Sequence, residues 1–301
     1  MKALLPALSF ALLAAVASVR GQTAPLLRFE LEHKSTALGL ALLLDLGDEI
    51  GVYPFDRAPQ FRKLPSSGAR PMATPDGRII VWAIQGAPYS STIEMESVTA
   101  GILTKEQVDS WLQIIAATSN NPPNIAFISN LTELRYRISG SRASHVIEGM
   151  GTISSAAGWS PDGTKLVFGR GGQIRVLDTT NNRTTIIDQG ADPTWSPDGR
   201  WIAYRPSTTR AVLFDPRSSK KKLILEGREL APLPLRWSPD SEYLTYVDRN
   251  MKDKTQWHLS VFRVRDNAVT VVTPFDPIRG YVADWSWIFS YQTLCRRWGT
   301  K

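Results

Sequence analysis

Trp159-Ser160-Pro161-Asp162-Gly163, Trp195-Ser196-Pro197-Asp198-Gly199 and Trp237-Ser238-Pro239-Asp240-Ser241 are near-copies of one five-residue phrase, spaced 36 and 42 residues apart. Ala73-Thr74-Pro75-Asp76-Gly77 is a worn copy whose aspartate lies 86 residues before Asp162, twice a period of 43. Trp285-Ser286 opens a further copy 48 residues after Trp237 and breaks off at Trp287. Periods near 40 residues mark propeller blades and other solenoids.

The phrase has a direct conformational meaning. Serine or threonine hydrogen-bonds locally, proline fixes its φ near about −65°, aspartate follows, and glycine supplies a positive φ. Such a turn joins two antiparallel strands and sets their register through a bulge. Ser241 stands where glycine is expected. That turn should survive, with more strain or different bonding.

Each turn is followed by a short β-forming run: Ile79 to Trp82, Leu166 to Phe168, Trp201 to Tyr204 and Tyr243 to Val247. Second and third runs come after it, as in Ile174 to Leu177 and Thr184 to Ile187. With the tryptophan segment counted, each unit has four strands, and neighbouring units cover its two faces. In the less regular half, Ile50 to Tyr53 and Phe61 to Leu64 read as outer strands of an early blade, with Arg28 to Glu32 and Leu38 to Asp45 inside them. Ile125 to Ser129, Leu134 to Ile138 and Val146 to Glu148 supply an intervening blade. The expected fold is all-β: a propeller of six or seven four-stranded antiparallel blades over residues 22–301. For the carboxyl end from Asp284 onward, a closure strand for the first blade, a degraded repeat and a truncated or frameshifted reading frame stay open.

One helical insertion is expected at 104–118. Thr104 and Gln107 form a capping box, Val108, Trp111, Leu112 and Ile115 form an apolar stripe, and Asn120-Asn121-Pro122-Pro123 stops the run.

At the start, Lys2 precedes the apolar run ALLPALSFALLAAVASV, which ends in small residues as a secretory signal does. Residues 1–21 are therefore set aside as a signal peptide, with cleavage after Gly21 or after Ala17. Export to the periplasm or the exterior follows. A membrane enters only if this segment stays uncleaved as an anchor. The single cysteine, Cys295, forms no internal disulfide.

The chain has 43% apolar residues and a formal charge of +7, which excludes a disordered or collagen-like chain. Its basic excess is local. Arg217, Lys220, Lys221 and Lys222 form one cluster, which reads first as a solvated turn and second as a partner-binding patch. Export weighs against nucleic acid as the partner.

The Trp-Ser-Pro-Asp-Gly series resembles the β-propeller repeats of TolB-like periplasmic proteins, and also the propeller domains of prolyl-oligopeptidase-type peptidases. The resemblance implies that Trp159, Trp195 and Trp237 pack between blades. It also implies that Asp162, Asp198 and Asp240, with Gly163, Gly199 and the worn pair Asp76 and Gly77, organise the turns. A residue recurring in every blade serves structure better than catalysis, which needs one assembled constellation.

Catalytic signals are weak. The chain contains no Gly-x-Ser-x-Gly elbow, and His33, His145 and His258 are dispersed without zinc-ligand spacing. No cofactor, metal or catalytic residue is assigned. The expected function is that of an exported, noncatalytic scaffold whose loops meet a protein or peptide, with Trp111 and the basic cluster as contact candidates. The alternative is a carbohydrate-active lyase or hydrolase that takes a glycan on its blade loops, with Asp178, Asp215, Asp248 and Asp284 as the acids to examine.

Overall fold

The computed structural model describes residues 26–45, 49–57, 60–63, 71–86, 90–108, 112–120, 122–129, 133–141, 143–147, 153–249, 257–274 and 284–299. Six antiparallel sheets form a six-bladed propeller, mostly of four strands each. From the axis outward, blade 1 is Asp284–Ile288, Ala41–Asp45, Glu49–Pro54 and Gln60–Lys63, and blade 2 is Met72–Ala73, Ile79–Gly86, Ser90–Ser97 and Gly101–Val108. Blade 3 is Leu112–Ala117, Ile125–Ser129, Glu133–Arg137 and His145–Val146, and blade 4 is Ile153–Trp159, Lys165–Arg170, Gln173–Asp178 and Arg183–Gln189. Blade 5 is Ala191–Trp195, Ile202–Ser207, Arg210–Phe214 and Lys221–Glu226. In blade 6 the innermost strand is split into Glu229–Leu230 and Arg236–Trp237, followed by Tyr243–Arg249, Trp257–Arg263 and Val269–Pro274.

The ring closes by sharing a sheet between distant parts of the chain. Asp284–Ile288 pairs with Ala41–Asp45 from Leu44↔Trp285 to Ala41↔Ile288, so the interrupted fifth copy of the phrase is a closure strand and the blade count is six. Inner strands of successive blades then pack side by side around the axis.

The four written turns repeat one hydrogen-bond scheme. In each, the hydroxyl of Thr74, Ser160, Ser196 or Ser238 donates to the aspartate two residues on at 2.6 Å. The same oxygen accepts the backbone N–H five residues on, at 3.1 Å in the worn copy and 2.9 Å in the others. Gly77, Gly163 and Gly199 sit at φ 68°, 71° and 71°, and Ser241 holds φ 60° in the same scheme. Ser241 thus keeps the turn at the steric cost of a left-handed non-glycine residue, and its hydroxyl gains a bond from the N–H of Asp198 in the neighbouring blade (3.0 Å). The turns also hold one another: Ser119 accepts from Asp76 N–H, and Asn124 donates to the Gly163 carbonyl.

Two sequence expectations are corrected. The described residues of 104–118 form no helix: Gly101–Val108 and Leu112–Ala117 are strands of adjacent blades. Ile114 to Ala117 are all buried, because an innermost strand is covered on both faces; such a continuous apolar run fits a helical period as well as a strand period. Trp111 itself lies outside the described residues.

Arg28 to Glu32 are not a strand but part of a helix over residues 26–38 (α1). The alternation Leu27-Phe29-Leu31 is compatible with a strand as well. Leu27 and Leu31, one helical turn apart, are 0% and 1% exposed, while Phe29 is left 69% exposed. Gly39, at φ 67°, ends this helix where an added Cβ would meet the backbone of Ser290. A second short helix, Tyr291–Trp298 (α2), follows the closure strand.

Charged contacts fasten α1 to blade 6. Glu30 accepts from Tyr243, Arg263 and Arg265, and the Lys34 ammonium lies 2.7 Å from both Asp240 and Glu242. Burial would raise the Glu30 pKa, but the Tyr243 hydrogen bond and the Arg263, Arg265 and Lys34 charges override it and hold the carboxyl below its ordinary value. Asp56, bonded by Ser35 and Tyr291, is likewise lowered against the opposing effect of burial. Lys34 is raised: burial opposes this, and its bonds to Asp240 and Glu242 overcome it.

Lowered carboxylates contribute stability above their unfolded pKa and lose it as pH falls through the folded one. The raised lysine holds its contribution until well above neutral pH. Acidification from pH 7 to below about 4 should therefore lower the urea midpoint and release α1 early, measured as loss of amide-exchange protection over residues 26–38.

Candidate functional site

Three places gather recessed or buried side chains, the first two from different blades. The first is the axis, where a cavity of about 60 Å³ is lined by inner-strand residues of all six blades, including Ala73, Ala117, Trp159, Trp195, Trp237 and Trp287. Because the phrase recurs at the end of the inner strands of blades 4, 5 and 6, Trp159, Trp195 and Trp237 reach the axis at equivalent positions, paired with Leu166, Ile202 and Leu244. They also pack between blades: Trp159 meets Tyr136 of blade 3 edge-on at 6.0 Å.

The second is a groove of about 680 Å³ on the face that carries the turns. Its walls are Leu38 at the end of α1, the turn Asp76-Gly77-Arg78 and Ile79, the turn Ser97 to Ala100 with Leu103 of blade 2, Ser119 of blade 3, and Phe289-Ser290 before α2. Leu38 is 53% exposed, and Ile102 beside the groove is 67% exposed. The far wall is fixed by α2: Arg297 donates to the carbonyls of Ser97 (2.6 Å) and Val98 (2.8 Å) and pairs with the buried Glu96. Tyr291 donates to Asp56 at 3.0 Å; burial, then that hydrogen bond, pushes its pKa up to about 12. Groove volume and mixed lining suit a peptide-sized ligand.

The third is a set of buried polar groups inside blades 5 and 6. Asp192 and Arg205 form a buried ion pair. Asp248, fully buried, accepts from Ser260 at 2.8 Å and pairs with Arg228. These groups tie strands together within a blade, and each carboxylate is committed to a cation.

The sequence candidates for acid chemistry do not converge. Asp178 binds Thr180 and Asp215 binds Arg217 and Ser218 in turns between the third and fourth strands of blades 4 and 5, on the face of the repeat turns. Asp248 lies toward the opposite end of its strand, and the side chain of Asp284 is outside the described residues. His33 is on α1, His145 on the outer strand of blade 3 and His258 in blade 6. Among the described residues, no group of three His, Cys, Asp or Glu side chains is placed to hold a metal ion.

The basic cluster is partly used inside the protein. Lys221 pairs with Asp188 at 2.7 Å and Lys222 donates to the Val264 carbonyl at 3.3 Å, while Arg217, Lys220 and Lys221 are exposed. The groove was not read from the sequence. Its residues come from six separate stretches, and ring closure brings the first and last of them beside blade 2. The worn phrase, with Ala73 in place of tryptophan, was the one sequence sign of an asymmetric axis.

No protein-family model matches the chain, and no curated protein is similar to it in sequence. Among solved structures, TolB from Acinetobacter baumannii is similar over 82% of this chain at 19% identity with a TM-score of 0.61, and the chain spans 66% of that protein's length. A chain of a nidogen/laminin complex is similar over 84% of this chain and 99% of its own at 12% identity, with a TM-score of 0.62. Oligogalacturonate lyase from Vibrio parahaemolyticus is similar over 80% and 73% at 15% identity, with a TM-score of 0.51. At these identities the likeness is one of fold: a propeller resembling those of TolB-like proteins and oligogalacturonate lyases, an architecture that fits either a binding scaffold or a sugar-acting enzyme.

Proposed function

We propose that the chain is an exported, noncatalytic propeller that binds a protein or peptide partner in the cell envelope or periplasm through the groove beside blade 2. The observation that carries this reading is the composition of the groove. Exposed apolar side chains of Leu38 and Leu103 sit beside Arg78 and Asp76 on a rigid ring, the combination of apolar core and polar rim found in protein interfaces. The fold is shared with TolB and with one chain of a nidogen/laminin complex, and that likeness supports the reading at the level of fold alone.

Export rests on residues 1–21 as a signal. Mass measurement of the mature protein should find a chain beginning at Gln22 or Ser18; a chain with Met1 intact and confined to the cytoplasmic fraction would overturn the export reading.

The groove is tested by photo-cross-linking from position 103 in an envelope fraction, followed by titration of the purified captured partner. Leu38→Glu with Leu103→Glu should weaken that binding at least roughly tenfold, the loss of about 1.4 kcal/mol, while leaving the fold intact. Undiminished affinity removes the groove from the interface. The second reading, a carbohydrate-active enzyme, draws on the likeness to oligogalacturonate lyase. Saturable turnover of oligogalacturonate or another acidic glycan by the purified protein would replace the scaffold with the enzyme.

A further inference from the structure

The blades are copies of one plan, so a side chain left idle at a position that other copies use marks a place where the fold departs from its own rule. Two such positions meet at the groove. The first is the residue after Gly77, Gly163, Gly199 and Ser241. In blades 4, 5 and 6 its side chain is used inside the protein: Thr164 donates to Asp162 at 2.8 Å, Arg200 lies 5.2 Å from the Trp201 ring centre, and Glu242 pairs with Lys34 at 2.7 Å. In blade 2 the residue is Arg78, which is exposed. Its backbone N–H donates to Asp76 at 3.2 Å, while its guanidinium makes no ion pair or hydrogen bond among the described residues.

The second position is the outer-strand bulge. Among the described residues, four outer strands carry one extra residue where the register shifts: Leu103 in blade 2, Ile187 in blade 4, Ile224 in blade 5 and Val272 in blade 6. Ile187, Ile224 and Val272 each pack into the apolar cluster that their blade shares with the next one. Leu103 stays outside the cluster of blades 2 and 3 and is left 36% exposed on the groove wall.

Charge selects the ligand. Asp76 and Arg78 are the charged residues among those described as lining the groove, and Asp76 is committed, accepting from the Thr74 hydroxyl at 2.6 Å and from the Arg78 N–H. One cation thus stands unanswered beside the exposed Leu38 and Leu103. We infer that the groove takes a peptide segment of the partner in which an aspartate or glutamate neighbours a large apolar residue. The carboxylate meets the Arg78 guanidinium, and the apolar side chain covers Leu103 and Leu38 as neighbouring blades cover Ile187, Ile224 and Val272. This rests on the groove reading above and adds the partner's chemistry to it. A volume of about 680 Å³ is that of a drug-sized ligand, more than one carboxylate and one apolar side chain fill, which leaves room for the chain on either side of them.

Random peptides displayed on phage, selected on the purified protein and counter-selected on Leu38→Glu with Leu103→Glu, test the inference. Groove-dependent winners should carry Asp or Glu beside Leu, Ile, Met or Phe. For a synthesised winner, replacing its acid by the amide should weaken binding about tenfold on the wild type and leave it unchanged on Arg78→Gln, the sign that the two groups touch. Selection on Arg78→Glu should turn the preference to Lys and Arg. That variant needs no counter-selection, and the blade 6 turn already carries glutamate there as Glu242. Groove-dependent winners without an acidic residue, or with affinity indifferent to Arg78, overturn the inference and leave the groove standing as a peptide site. An absence of groove-dependent winners overturns it too, and the cross-link from position 103 then judges the groove on its own. Saturable calorimetric binding of sodium octanoate, lost in the double variant and without any peptide winner, assigns the groove to a small amphiphile instead.

Discussion

Trp285→Ala is expected to lower the free energy of unfolding by about 3–5 kcal/mol, against a total of roughly 5–15 kcal/mol for a protein of ordinary stability. The side chain is 1% exposed and lies in a cluster that joins α1 (Leu27, Leu31), blade 1 (Leu42, Leu44) and blade 6 (Tyr243, Val261). Truncation leaves a cavity at the seam where the ring closes and removes the indole bond to Thr245. Urea denaturation gives the magnitude, and amide exchange gives the place: Ala41–Asp45 should lose protection, because their inner neighbour in the sheet is the strand that carries Trp285. Trp201→Ala is the control. Trp201 is half-buried, with Arg200 over its ring; its loss should cost markedly less, and equal losses for the two would deny the seam its special weight.

Asp192→Ala should destabilise by about 3–5 kcal/mol as well, for a different reason. Its partner Arg205 is buried at 6% exposure, so the variant leaves a guanidinium in the interior without its counter-charge. Asp192 also holds φ 53°, a conformation that asparagine tolerates. Asp192→Asn therefore isolates the charge from the backbone and should cost less than Asp192→Ala. The decisive comparison is Asp192→Ala with Arg205→Met: removing both charges should recover much of the loss. A double variant as unstable as the sum of the single ones would show that the pair is not energetically coupled.

The parts of the fold that were legible in sequence are those whose chemistry is local. Ser-Pro-Asp-Gly dictates its own turn from a handful of hydrogen bonds within six residues, so the turns, the strands flanking them and the register at each turn could be read directly. Ser241 was foreseen as a strained survivor because its deviation is also local.

What failed depended on distant covering. Whether Ile114 to Ala117 form a strand is decided by the blades on either side, and the apolar run carries no period of its own. Whether Leu27, Phe29 and Leu31 alternate on a strand or divide over a helix is decided by the surface of blades 1 and 6 that receives Leu27 and Leu31. The groove and the cavity lie further still from local information. The first needs the closed ring to bring Phe289 beside Asp76, and the second needs the sixfold comparison of inner strands to reveal alanine opposite tryptophan.

Blade 1 is assembled from segments made at widely different times. During synthesis at about 5–20 residues per second, the edge of Ala41–Asp45 waits on the order of ten to fifty seconds for the strand that will pair with it. An unpaired strand edge of four leucines and alanines is a template for association with other chains. Newly made protein should therefore be most prone to aggregate, and most in need of a holding chaperone, in the interval before residues 284–288 emerge.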